Sequence, residues 1–285
     1  MKKILSIILA VVMMMALFSA CGKGESGKSA DTTKEPQDSA APAQPDDSGK
    51  PADGGTIKVG LLAPLTGNVA QYGIAVANGV KLYTKEINEK GGINGKKVEL
   101  VEYDEEGDAA KAVLGYNSLV DQGVVAIVGD VTTGPTVAVV AESQKDKIPM
   151  ITASATAASV TYNAETGQVY ENMFRSCFID PFQGEKMAKF AAEVLSAKTA
   201  AVIYETGNDY AVGLKDAFVK EAQEVGITVV AEEGYSKGDK DFRSQLTNIA
   251  SKSPDVVFCP NYYEDDGMIV TQARQVGVTA TFLGG

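Results

Sequence analysis

The residues best suited to chemistry in this sequence are hydroxyls, and they fall in two short runs, "GDVTTGPT" (129–136) and "ITASATA" (151–157). Each run follows an apolar stretch. Thr132, Thr133, Ser154 and Thr156, set among Val131, Ala155 and other small side chains, carry too little bulk to build a core. Small side chains let the main chain approach a ligand, and hydroxyls add donors. Where such a run leads into a helix, the unpaired N–H groups and partial positive charge of the first turn suit a carboxylate or a phosphate. The plainer alternative is a Ser/Thr-rich helix cap with no ligand. The sequence contains no His, which removes the commonest general base and the commonest metal ligand. No nucleophile arrangement is recognisable, and "GGING" (91–95) ends a helix instead of following a strand, so it is not a dinucleotide fingerprint. These features point away from an enzyme, with no cofactor and no metal expected.

The elements that must hold these runs alternate. "IKVGLL" (57–62), "KVELVEY" (97–103), "VVAIV" (124–128) and "IPMIT" (148–152) read as strands. Between them Val76, Val80, Tyr83 and Ile87 form one face of a helix that stops at Gly91 and Gly92. Asp108 caps a second helix and Pro135 starts a third. The pattern recurs in strands at 200–205, 227–232, 255–260 and 280–284, with helices near 209–225, 240–251 and 264–276. Strand–helix–strand at this spacing specifies parallel sheets with helices on both faces. The expected fold class is α/β, with two Rossmann-like lobes at 57–177 and 178–285, joined by an extended stretch around 172–180. In such sheets ligands bind outside the carboxyl ends of the strands, which is where both hydroxyl runs lie.

The start of the chain addresses the compartment. Lys2 and Lys3 precede an apolar run from Ile4 to Phe18 and the small residues Ser19 and Ala20, the pattern of a signal peptide over 1–20. "LFSAC" resembles the lipobox of bacterial lipoproteins, in which Cys21 becomes the lipidated N-terminus, although the family usually has Leu where Phe18 stands. Residues 22–55 contain no Val, Ile, Leu, Met or aromatic residue, so the stretch from Cys21 to 56 reads as a disordered tether. The net charge is −11, and losing the two Lys of the signal makes it −13; nucleic acid is not an expected partner. Cys177 and Cys259 either pair or stay as two buried thiols.

Taken together, "APLTGNVAQYG" (63–73), "EINEKGGINGKKVELVEYD" (86–104), "GDVTTGPT", "IPMITASATAASVT" (148–161), "YETGNDYAVGLKDAF" (204–218) and "KGDKDFRSQLTNI" (237–249) resemble the branched-chain amino acid (leucine, isoleucine, valine) binding proteins of bacterial ABC transporters. The resemblance runs in order through 57–285. It implies a type I periplasmic binding protein fold that closes on an amino acid and delivers it to permease subunits from outside the cytoplasm, held to the membrane by its lipid. A ligand-sensing domain for a membrane receptor is the alternative on the same fold.

Residue by residue, the resemblance implies that Thr133 and Thr156 hold the ligand's α-carboxylate and that the Ser154 carbonyl meets the α-ammonium. Tyr72 becomes a wall from lobe one; Tyr210 and Tyr262 become aromatics from lobe two, with Tyr263 the competitor for the Tyr262 role. Side-chain specificity falls to the lobe-one wall around Val131 and Thr132 and to segments beyond Gly285. The family often has Pro where Ala153 stands and Gly where Ala211 stands. It also has an acidic partner for the ammonium shortly after the position of Gly285. On that basis the 285-residue chain is expected to be an incomplete binding protein; failing that, Asp130, Glu264 and Asp265 are the places to look for the acid.

Overall fold

The computed structural model describes residues 55–285, and the signal peptide, Cys21 and the tether to 54 lie outside the described residues. Two all-parallel sheets carry the architecture. The first contains β1 (Thr56–Ala63), β2 (Lys97–Asp104), β3 (Ala126–Val128), β4 (Met150–Thr152) and β7 (Met173–Arg175), in the order β2-β1-β3-β4-β7. A two-stranded ribbon, β5 (Tyr162–Asn163) with β6 (Gln168–Val169), stands outside it. The second sheet has β8 (Thr199–Glu205), β9 (Thr228–Tyr235), β10 (Val256–Cys259) and β11 (Thr281–Gly284), in the order β11-β10-β8-β9.

Alternation along the central strands assigns the helices to faces. In β1, Leu61 packs with Ala77, Val76 and Val80 of α1 (Ala70–Glu89). Leu62 packs the other way, with Tyr116 and Leu119 of α2 (Ala109–Asp121) and Val139 and Val140 of α3 (Thr133–Ser143). In β8, Val202 faces α4 (Asp180–Glu193) and α5 (Asp209–Glu224) through Ala188, Leu214 and Phe218. Ile203 faces α6 (Arg243–Lys252) and α7 (Tyr263–Gln275) through Leu246 and Ile269. Helices on both faces leave each parallel strand apolar along both sides.

Both sheets place their first strand between the second and the third, so the chain leaves β1 in one direction and reaches β3 in the other, and likewise for β8 and β10. The carboxyl ends of those strand pairs are the switch points at which α/β sheets bind ligands.

Several sequence expectations are corrected here. The third helix starts at Thr133 with Thr132 at its N-cap, not at Pro135; Pro135 sits in the first turn, where its missing N–H has no carbonyl to bond in any case. Tyr83 is 66 % exposed, so the inner face of α1 runs through Gly73, Val76, Ala77 and Val80 instead. The stretch at 172–180 contributes a fifth strand to the first sheet and then opens α4, a helix that polar Gln183, Glu185 and Lys186 disguise. Asp108 does cap α2, its carboxylate accepting from the amides of Ala110 and Lys111 at 2.9 Å each. Cys177 and Cys259 are free thiols, the first half-buried and the second buried.

Candidate functional site

The loop after β3 begins at Gly129, where φ is +134° and a Cβ would lie 2.1 Å from the Leu62 carbonyl oxygen. Only glycine lets the chain pass this close to β1. The loop is then braced by hydroxyls from its neighbours. Thr152 Oγ1 donates to the Asp130 carbonyl at 2.6 Å, Ser154 Oγ to the Val131 carbonyl at 2.7 Å, and Thr136 Oγ1 to the Thr132 carbonyl at 2.7 Å. Thr152 Oγ1 also accepts from the Ala155 amide at 3.0 Å, tying the second hydroxyl run to the first.

Two hydroxyls take no part in this bracing. Thr133 Oγ1 and Thr156 Oγ1 are buried and have no hydrogen-bond partner of good geometry. A buried hydroxyl without a partner costs about 1 to 3 kcal/mol, so two of them at one place mark a site built for something else to complete. Both line a cavity of about 180 Å³ between the switch points of the two sheets. Across it stand three rings. Tyr210 opens α5 and Tyr262 caps α7; their rings stack at 5.2 Å, while Tyr72 from α1 approaches Tyr262 at 5.8 Å and 57°. Burial raises all three phenols above their ordinary range, most strongly those of Tyr210 and Tyr262. The rings are therefore neutral donors at physiological pH. The Thr133 amide faces the Tyr262 phenol oxygen.

Of the residues expected from sequence, Tyr72, Val131, Thr132, Thr133, Ser154, Thr156, Tyr210 and Tyr262 all line this cavity. Ala155 does not: it is fully buried, and its carbonyl accepts from Arg175 Nη1 at 3.2 Å, so the loop turns it inward. Tyr262 lines the cavity and Tyr263 does not; the Tyr263 ring packs on Tyr72 instead. Phe178, Gln183 and Gly285 also line the cavity and were not read from the sequence. Gln183 reaches the Tyr210 hydroxyl; its only signal was a polar residue in the unrecognised first turn of α4.

None of the three fallback acids serves the cavity. Asp130, within the first hydroxyl run, is fully buried and does not line the cavity, and Glu264 and Asp265 line an adjoining space of about 450 Å³ that shares Thr132 and Tyr262 with it. There Lys240 pairs with Glu264 at 3.3 Å, and Tyr235 donates to Asp265 at 3.0 Å. A further buried carboxylate, Asp180, only 2 % exposed, lies against the second hydroxyl run, its amide donating to the Thr156 carbonyl at 3.1 Å. Burial pushes its pKa up to about 6, with Thr156 and Arg175 opposing.

Two parallel sheets that present paired hydroxyl loops and an aromatic wall across a cleft define a solute-binding protein of the two-lobed α/β kind. Residues 56–285 match the sequence family described as Periplasmic binding protein, and the chain belongs to that family. It is 37 % identical over 229 residues to the Leu/Ile/Val-binding protein BraC3 of Rhizobium johnstonii, covering 80 % of this chain and 61 % of that one. It is 34 % identical, again over 229 residues, to the leucine-, isoleucine-, valine-, threonine- and alanine-binding protein of Pseudomonas aeruginosa, covering 80 % and 60 %. Among solved structures, the branched-chain amino acid transporter substrate-binding protein LivJ of Streptococcus pneumoniae, in complex with isoleucine, superposes with a TM-score of 0.73 at 35 % identity, over 81 % of this chain and 64 % of that one. The leucine-binding protein LivK of Thermotoga maritima gives 0.74 at 33 % identity, over 81 % and 63 %. The chain thus spans about three fifths of the length of these relatives.

Proposed function

We infer that this protein captures an α-amino acid with an aliphatic side chain in the cavity between its two lobes, 57–177 and 178–285, and delivers it to the permease of an ABC transporter. The observation that carries the reading is the pair of buried, unpartnered hydroxyls, Thr133 and Thr156, facing an aromatic wall. The ligand's carboxylate completes both donors at the start of α3, where the helix N-terminus favours an anion. The Ser154 carbonyl takes the ammonium, and Val131, Thr132 and Tyr72 receive the side chain. A carboxylate held by neutral hydroxyls and amides needs no titratable partner, which suits a protein that must release as well as bind. The names of the relatives favour leucine, isoleucine or valine among amino acids. Closure is a hinge motion that brings Tyr210 and Tyr262 onto a ligand already seated on the first sheet.

A thermal-shift screen of amino acids tests this, because a ligand that binds only the folded state raises the melting temperature. A rise with leucine, isoleucine or valine, confirmed by calorimetry, is expected; no response to any amino acid or short carboxylate would refute the reading. The same proposal places the protein outside the cytoplasm as a lipoprotein anchored through Cys21. Cys21→Ser is expected to release it from the membrane fraction or leave its signal uncleaved, and a cleaved but membrane-retained variant would remove the anchor from the account.

A further inference from the structure

Behind the ligand loop lie two carboxyls that ligand contact does not use. Glu105, just beyond β2, and Asp130, just beyond β3, are both fully buried. Their side chains meet each other. The Val131 amide donates to Asp130 Oδ1. Asp130 Oδ2 and both carboxyl oxygens of Glu105 have no protein donor of good geometry; the amides of Gly107, Asp108 and Thr132 lie near and only moderate the effect of burial. Two ionised carboxylates are acceptors only, so they can hydrogen-bond each other only if one holds a proton.

The surrounding charges do not relieve the pair. Asp104 adds repulsion at Glu105 while it accepts from the Leu65 and Thr66 amides. Glu106, on the same turn, is paired with Lys111 of α2 at 2.6 Å, and Asp108 caps α2. The side chain that reaches Asp130 from β4 is uncharged Thr152. Burial raises Glu105 to about 7, and burial together with Glu105 raises Asp130 well above the usual carboxylate range. Both carboxyls therefore hold their protons more tightly than ordinary carboxyls do.

We propose that Glu105 and Asp130 form a proton-sharing pair that positions the 129–133 segment, so that ligand affinity depends on a proton that never touches the ligand. The proposal rests on the reading of the cavity as an amino-acid site. With a proton in place, one hydrogen bond ties the end of β2 to the loop that presents Thr133, and Asp130 places no full negative charge behind the seat of the ligand's carboxylate. With the last proton gone, two like charges in a water-free space repel each other. The segment then shifts, and Asp130 repels an incoming carboxylate. Both residues are positioning residues.

The test is calorimetry with leucine, isoleucine and valine, on the wild-type chain, Asp130→Asn and Asp130→Leu, together with ligand-free melting over the same pH series. In Asp130→Asn the side-chain oxygen still accepts from Val131 and the amide nitrogen donates to Glu105. Between about pH 6 and about pH 9 the wild-type Kd is expected to rise roughly tenfold, and that of Asp130→Asn less than about threefold. Titration of the ligand's own ammonium affects both proteins equally. Asp130→Leu is expected to bind weakly at every pH. Wild-type melting temperature should fall as pH rises, because the native pair holds protons that the unfolded chain has released, and it should fall less in Asp130→Asn. Parallel profiles for wild type and Asp130→Asn would overturn the proposal. If none of the three amino acids binds at any pH, the functional reading fails by itself, and the melting profiles still decide the pair.

Discussion

Tyr210 and Tyr262 lie face to face, ring centroids 5.2 Å apart and planes within 1° of parallel. Both come from the second sheet, one at the start of α5 and one capping α7, so this wall of the cavity is assembled before any ligand arrives. From the first sheet the Tyr72 ring crosses to meet it, and the Thr133 amide faces the Tyr262 hydroxyl. Aromatic pairs add about 0.5 to 1.5 kcal/mol beyond the area they bury, and Tyr262→Ala removes both the stack and the wall. Amino-acid affinity in this variant is expected to fall about tenfold or more. Tyr263→Ala, which touches the site only through Tyr72, should change it by less than about threefold. Calorimetry on the two variants checks this; the reverse order of effects would reassign the wall.

Thr133→Val and Thr156→Val separate function from stability. In the free protein neither hydroxyl has a hydrogen-bond partner of good geometry, so Thr133→Val relieves a cost of about 1 to 3 kcal/mol and leaves the melting temperature unchanged or raised; Thr156→Val gains less, because the Thr156 hydroxyl already helps hold down the pKa of Asp180. With ligand bound, each variant lacks a hydrogen bond to a charged group, about 1.5 to 3 kcal/mol, or roughly tenfold to over a hundredfold in Kd. A variant that melts lower and binds normally would mean that the hydroxyl serves the fold.

Much of this candidate site was legible because hydroxyls among alanines in the loops after the strands have no packing reason to be there. The two sheets were legible because parallel strands buried on both faces form continuous apolar runs such as "VVFC" in β10. Ala155 was misread because sequence does not say which residue of a small-residue loop turns inward; Arg175, twenty positions away, decides that by hydrogen-bonding its carbonyl. Tyr83 was misread because it falls within a helical turn of Val80 and Ile87, and a ring at the edge of an apolar stripe reads as part of it. Gln183 was missed because α4 opens with Asp180, Pro181, Phe182 and Gln183, a start easily taken for linker. The Glu105–Asp130 pair joins two loops 25 positions apart, and nothing local to either marks it.

Stability is expected to fall as pH rises through the mildly acidic range. Burial raises Asp180 to about 6 and Asp266 to about 7, the latter despite a 3.2 Å hydrogen bond from Asn261. Each folded pKa lies above the unfolded value, so from about pH 4 upward the native state holds protons that the unfolded chain has lost. The loss of stability is complete once pH passes the folded value. A tenfold difference in proton affinity between the folded and unfolded states corresponds to about 1.4 kcal/mol. Asp180→Asn should therefore match wild type near pH 4 and exceed it near pH 8 by of the order of 2 kcal/mol. Denaturant melts at the two pH values check the sign, and a variant less stable at pH 8 would show that Thr156 and Arg175 hold the ionised Asp180 carboxylate by more than its burial costs.

Gly73 gives the sharpest test of how the first sheet aims its ring. Replacing a glycine inside a helix with alanine normally stabilises by about 0.5 to 1 kcal/mol, and Gly79, on the same helix with open space around it, should follow that rule. At Gly73 a Cβ would stand 1.9 Å from the Pro64 carbonyl oxygen. That atom belongs to the backbone of the turn after β1, which Asp104 holds through the Leu65 amide at 2.8 Å and the Thr66 hydroxyl at 2.7 Å. The turn cannot yield, so α1 must move outward and carry the adjacent Tyr72 away from Tyr262. Overpacking of this kind costs about 1 to 3 kcal/mol. Gly73→Ala is therefore expected to lower the melting temperature and weaken ligand binding together, while Gly79→Ala raises the first and leaves the second alone. Melting curves and calorimetry on the pair settle it: if Gly73→Ala behaves like Gly79→Ala, the approach of α1 to Pro64 does not set the position of Tyr72.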